Sequence, residues 1–177
     1  LRSQGVEVIV FPQPKPLVFR PAILNAVLAP LKKLVNIHRG LLGPALSQAR
    51  FLRQHSIDLV NVNNSITRNH SWMLASMLTG TPCITHEMGI NASYSFGSRF
   101  FGRRLKRIIS LSHAIHDAMK SCGIDFANID VIHCGIDLTR YKTIESPEAL
   151  RAKYGIPADS KVIGVVGNVR PWKGQET

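Results

Sequence analysis

What constrains this chain most is a repeated alternation. Short runs rich in Val and Ile are each followed by a small polar cluster, and then by a segment with apolar residues at helical spacing. Ile57–Val62 leads into Asn61, Asn63, Asn64 and Ser65. Cys83–Thr85 leads into His86, Glu87, Met88 and Gly89, and Lys161–Val166 leads into Gly167–Lys173. Further strands are predicted at Val6–Phe11, Arg107–Leu111 and Asp130–Ile132. Strand, short turn, helix and strand again describe parallel βαβ units, because parallel strands need a crossover long enough to run back along the sheet. In such sheets ligands sit beyond the carboxyl ends of the strands. The polar clusters are therefore the candidate site segments.

The helical segments carry their own punctuation. Ala22–Ile37 places Ile23, Val27, Leu31, Leu34 and Val35 on one face, with Pro30 expected to break or kink it. Pro44 suits the first turn of a further helix over Ala45–His55. Ser71–Leu78 is closed by Gly80, and Arg99–Lys106 is basic and helical. Ser112 caps His113–Cys122, and Pro147–Tyr154 ends at Gly155. Pro12, Pro14 and Pro16 forbid both helix and ladder, so that stretch is a loop.

An apolar fraction of 45% is enough for a packed core and argues against disorder. The formal charge of +11 calls for an anionic partner: a phosphorylated substrate, an acidic lipid surface or nucleic acid. No nucleic-acid motif is present, so that last class is not favoured. No run of apolar residues is long enough to span a bilayer. Cys83, Cys122 and Cys134 lack CxxC spacing, which suits a reducing compartment and buried or inert thiols. Leu1 is not a start methionine, and the opening residues read as a helix end running into a strand, so the chain is expected to be a piece of a longer one.

Several motifs carry chemistry with competing readings. Gly167 lets the backbone approach a phosphate, and Arg170 and Lys173 supply two cations before Gly174, although the same turn could be merely solvated. It is neither a Walker loop nor GxGxxG. His86-Glu87 could be a general acid/base, a substrate anchor or a satisfied structural pair. His113 and His116 have helical metal-ligand spacing but no carboxylate partner, and no metal is expected. Arg99–Arg107 mixes cations with Phe100 and Phe101. That run could face an anionic surface, or be an amphipathic helix with aromatics inward. No nucleophile-elbow pattern occurs, which excludes the usual covalent hydrolases.

Taken in order, four segments resemble the GT-B-fold retaining glycosyltransferases of family 4. They are Ile57–Asn63 (the family's "pDvvh.n"), Gly80–Glu87 ("G.P.v.t.H"), Arg107–Asp137 ("d.iia.S…v.viynGiD") and Val162–Gly174 ("v.g.vGrl…KG"). The resemblance implies an incomplete Rossmann-like α/β acceptor-side domain over residues 1–136. A linker and helix over 137–160 would follow, then the first strand of a second, donor-binding Rossmann-like domain from 161 to 177. It implies transfer of a sugar from a nucleotide-diphosphate-sugar to an acceptor hydroxyl with retention, hexosyltransferase-like, in polysaccharide or glycolipid synthesis. The nucleotide-sugar would be a co-substrate, with no further cofactor or metal.

By the same resemblance His86 matches the family's active-site histidine. Gly167, Asn168, Arg170, Lys173 and Gly174 would hold the donor diphosphate, with Asn168 where the family has arginine. Asn63, Glu87 and Gly89 would line the acceptor side. A glycan or lipid-linked acceptor, an anionic membrane surface and a cytoplasmic, peripheral location are expected. Residues 1–177 alone would be inactive for want of a nucleotide pocket. The alternative is a non-catalytic basic module that holds a nucleotide or nucleic acid.

Overall fold

The computed structural model describes residues 7–11, 15, 29–140, 145–169 and 174. The chain forms two compact units, Leu1–Cys134 and Gly135–Thr177.

The first unit begins, among the described residues, with α1 (Ala29–Ile37), a π-helical turn (His38–Leu42) and α2 (Gly43–Gln54), which run on without a break. The sequence predicted two separate helices here. Pro44 has no N–H to give the preceding turn, and the Gly43 N–H reaches back to the His38 carbonyl instead, so the helix widens locally rather than ending. Pro30 is the second residue of α1; the first part of the predicted Ala22–Ile37 helix lies outside the described residues.

β1 (Val60–Val62), α3 (His70–Thr79), β2 (Cys83–Glu87), α4 (Phe96–Gly102), β3 (Arg107–Ser110), α5 (His113–Ser121) and β4 (Ile129–Val131) follow. The strands form one parallel sheet in the order β1-β2-β3-β4. It is the parallel α/β arrangement that the alternation predicts, in the Rossmann-like form that the resemblance implies. Helix ends obey local chemistry: Ser95 and Ser112 accept the N–H of Ser98 and Ile115 at the starts of α4 and α5. Gly80 closes α3 at φ 73°, a backbone state that costs glycine nothing.

Side chains alternate along each strand, and the register aligns them across the sheet. Val60, Val62, Cys83, Thr85, Glu87, Ile108 and Ser110 all lie on the buried face. Ile66, Met73, Met119 and Ile124, from loops and helices, complete that core. The opposite face carries Asn61, Ile84, His86, Arg107, Ile109 and Asp130, half-buried or exposed. Arg107 and Asp130 form an ion pair there at 3.1 Å.

The second unit contains a 3-10 turn (Leu138–Arg140) and α6 (Pro147–Tyr154), with Ser146 as cap and Pro147 in the first turn. Lys161–Val166 was predicted as a strand. It forms no ladder among the described residues, and residues 161–169 are exposed throughout. An apolar run becomes a strand by pairing, and no described neighbour offers Ile163 or Val166 a partner.

Candidate functional site

The carboxyl ends of β1, β2 and β3 meet at one rim of the sheet, as parallel pairing requires. β2 runs two residues further than its apolar run suggested, so His86 and Glu87 are its last residues rather than a turn after it. Strand parity then separates them. Glu87 points into the helix-covered core and His86 to the other face, where it is half-buried beside Ile109 of β3. Among the described residues the His86 imidazole makes no hydrogen bond or ion pair, which leaves it available to a ligand.

Glu87 is 0% exposed. One oxygen of its carboxyl group accepts from Ser65 Oγ at 2.8 Å, from Asn91 Nδ2 at 2.5 Å and from Tyr94 OH at 3.3 Å. The other accepts from the Ile66 N–H at 3.1 Å. Burial pushes its pKa above the ordinary carboxylate range, against the pull of these hydrogen bonds. Read from the sequence as lining a cleft, Glu87 is instead sealed inside, joined to the loops that flank it. Tyr94 is itself pushed up to about 12, chiefly by burial. Asn91 and Tyr94 were not singled out by the sequence, because only their approach to Glu87 distinguishes them.

Asn63 and Gly89 are exposed at the rim, after β1 and β2. A Cβ at Gly89 would meet nothing within 4 Å, so open space lies beside it. Between them Asn64 holds φ at 102°, an uncommon state for a residue other than glycine, and its carbonyl accepts the Met88 N–H at 3.3 Å. A cavity of about 670 Å³ opens beside the start of α3, lined by Gln48, Arg68, Asn69 and Trp72. The Gln48 side-chain oxygen is buried there without a partner among the described residues.

Of the expected diphosphate loop, Gly167, Asn168 and Gly174 are described, all exposed, with Gly174 at φ 69°. Arg170 and Lys173 lie outside the described residues. The Arg99–Arg107 run takes the amphipathic form. Phe101 is buried, Arg104 stacks over Phe100 at 3.8 Å, and Arg99 donates to the carbonyls of Cys122 and Gly123. Its helix is shorter than predicted, since Gly102 ends α4 and the chain turns into β3. No grouping of three metal-ligating side chains occurs among the described residues. None of the described helices is long and apolar enough to cross a membrane.

A four-stranded parallel sheet flanked by helices, with His86 half-buried at the carboxyl end of an inner strand, is a Rossmann-like α/β domain. The sequence pattern of Glycosyltransferase Family 4 matches residues 1–140, and the chain belongs to that family. It is similar to the D-inositol 3-phosphate glycosyltransferase of Mycolicibacterium smegmatis, 40% identical over 52 residues, which are 29% of this chain and 12% of that protein. The proteins of the same description from Mycobacterium bovis and Mycobacterium tuberculosis are 39% identical over 54 residues, 30% of this chain and 11% of each relative. The match therefore spans only a small part of each curated relative.

Proposed function

We propose that this chain supplies the acceptor side of a glycosyltransferase that moves a sugar from a nucleotide-diphosphate-sugar to an acceptor hydroxyl with retention. The observation that carries the reading is His86: half-buried, unpartnered among the described residues, at the carboxyl end of β2 in a chain of Glycosyltransferase Family 4. An imidazole placed there can hydrogen-bond a sugar hydroxyl and orient the reacting groups. Asn63 and Gly89, exposed beside the same rim, are assigned to the acceptor.

Arg170 and Lys173 are assigned to the departing diphosphate. Charge develops on that group as the glycosidic bond breaks, so fixed cations stabilise the transition state more than the ground state. This chemistry requires no metal, because the cations take its place. The names of the similar proteins favour an acceptor that is itself a phosphorylated polyol.

The acceptor-side unit also suits an anionic membrane surface. α1 buries none of its residues, exposing Leu31, Leu34 and Ile37 together with Lys33, and Arg39 follows in the next turn. Sedimentation with anionic vesicles, compared with neutral ones, tests that part of the proposal.

The reading as an enzyme is tested by His86→Ala in the whole transferase, acceptor side and donor-binding part together. Turnover is expected to fall by roughly a hundredfold or more, the scale of one well-placed transition-state donor, with the unfolding midpoint nearly unchanged. Unchanged turnover in a folded variant would remove His86 from the site. A protein that binds nucleotides but transfers no sugar would favour the basic binding module instead.

A further inference from the structure

We propose that Glu87 is a positioning residue for the rim: its buried carboxylate ties together the loops that follow β1, β2 and β3 and so sets the geometry in which His86 meets a ligand. The proposal goes beyond the assignment of sugar transfer and rests on it only for its kinetic readout.

The loop after β1 is held through Ser65 Oγ and the Ile66 N–H, and the loop after β2 through Asn91 Nδ2 and Tyr94 OH. The main-chain carbonyl of the same residue accepts the Leu111 N–H, at the start of the loop after β3, at 3.3 Å. One residue thus bonds to every loop at the carboxyl ends of the first three strands. His86 is its direct neighbour on the opposite face of β2, so a shift of the strand end would move the imidazole too.

The chemistry asks for a carboxylate at this place. The Ile66 N–H can only donate, Asn91 presents its NH₂ group, and the Ser65 and Tyr94 hydroxyls complete a set of four donors. A carboxylate accepts on both oxygens. An amide of the same shape would turn its own NH₂ toward at least one of those donors. Core packing does not explain the residue, since burying a carboxyl group costs stability that an apolar side chain would not. What the carboxylate supplies is a fully satisfied polar junction, which specifies one arrangement of the loops.

Hydrogen exchange and steady-state kinetics on the whole transferase test this with Glu87→Gln. Met119→Ala, which opens a cavity in the same core away from the rim, is the control. At a pH where Glu87 is ionised, loss of a hydrogen bond to it corresponds to exchange faster by about tenfold or more at its donor. Glu87→Gln is expected to show this at Ile66 and across residues 88–94, with Ile108 of the sheet unchanged. It should also raise the acceptor KM by a larger factor than it lowers kcat. Met119→Ala should speed exchange across the whole unit without that split.

Exchange in Glu87→Gln that is unchanged, or raised equally at Ile108, would overturn the proposal, and so would an unaltered acceptor KM alongside loosened loops. Should Glu87→Gln not fold, Ser65→Ala and Asn91→Ala remove single donors and are read by the same two outcomes. If the whole transferase, with its donor-binding part, moves no sugar, the assignment of sugar transfer fails, and the exchange pattern alone decides whether Glu87 organises the loops.

Discussion

Replacing Ser65 by Ala is the most searching perturbation of the rim. Ser65 is 7% exposed, and its Oγ donates to the Glu87 carboxyl group at 2.8 Å while accepting the Thr67 N–H at 3.1 Å. Ser65→Ala removes these two bonds, together with the weaker Oγ contacts to Thr67 Oγ1 at 3.0 Å and from Asn91 Nδ2 at 3.4 Å, and little volume, so the cost is almost wholly polar. With Glu87 ionised, the bond to the carboxylate contributes about 1.5–3 kcal/mol, and the bond to Thr67 about 0.5–1.5 kcal/mol. Ile66, Asn91 and Tyr94 still donate to Glu87, which keeps the total toward the lower end, about 2 kcal/mol. With Glu87 protonated, the first bond is an ordinary neutral one and the loss shrinks to roughly 1 kcal/mol.

The assay is urea unfolding of both proteins across the acidic to neutral range, read as a shift in midpoint at constant slope. The destabilisation is expected to grow as pH rises through the raised pKa of Glu87. A loss below about 0.5 kcal/mol at neutral pH would refute the argument, since it would put this bond no higher than an ordinary surface change. A loss that did not vary with pH would show that Ser65 does not sense the charge on Glu87.

Two further outcomes follow from burial. The folded-state pKa of Glu87 lies above the ordinary value of 4.5, so the folded state binds this proton more tightly than the unfolded one. Its contribution is fully present below the ordinary value and is lost as pH rises through the folded value. Unfolding followed against pH should therefore show the unaltered protein losing ground to Glu87→Gln across that window, and a gain with rising pH would contradict the sign. Burial also holds the Cys83 thiol at about 11, whereas Cys134 is exposed. Iodoacetamide near neutral pH should label Cys134 in the native protein and Cys83 only on unfolding, because the thiolate is the reactive form; early labelling of Cys83, followed by mass spectrometry of the peptides, would show that it is not sealed.

Much of the architecture is local and was legible in the order of residues. Val- and Ile-rich runs alternating with helical spacing dictate parallel strands with crossovers. Ser112, Gly80 and Gly155 mark helix ends through bonds and backbone states that span only a few residues. The sheet's carboxyl ends could be named as the place for a site, since strand direction follows from connectivity. Phe101 inward and Arg103 outward likewise follow from amphipathic spacing.

Tertiary structure decided the rest. Whether β2 stops at Thr85 or continues to Glu87 depends on the ladder from β3, which pairs His86 with Ile109 and Glu87 with Ser110. Those two added residues assign His86 to one face and seal Glu87 in the other. The donors that make the sealed carboxylate tolerable include Ser65, 22 positions earlier, and no local signal marks it as a partner. Lys161–Val166 shows the converse, since its apolar pattern is intact and yet no described neighbour pairs with it. Periodicity states what a segment could bury or pair. Where hydrogen bonds close between distant segments is a property of the assembled sheet.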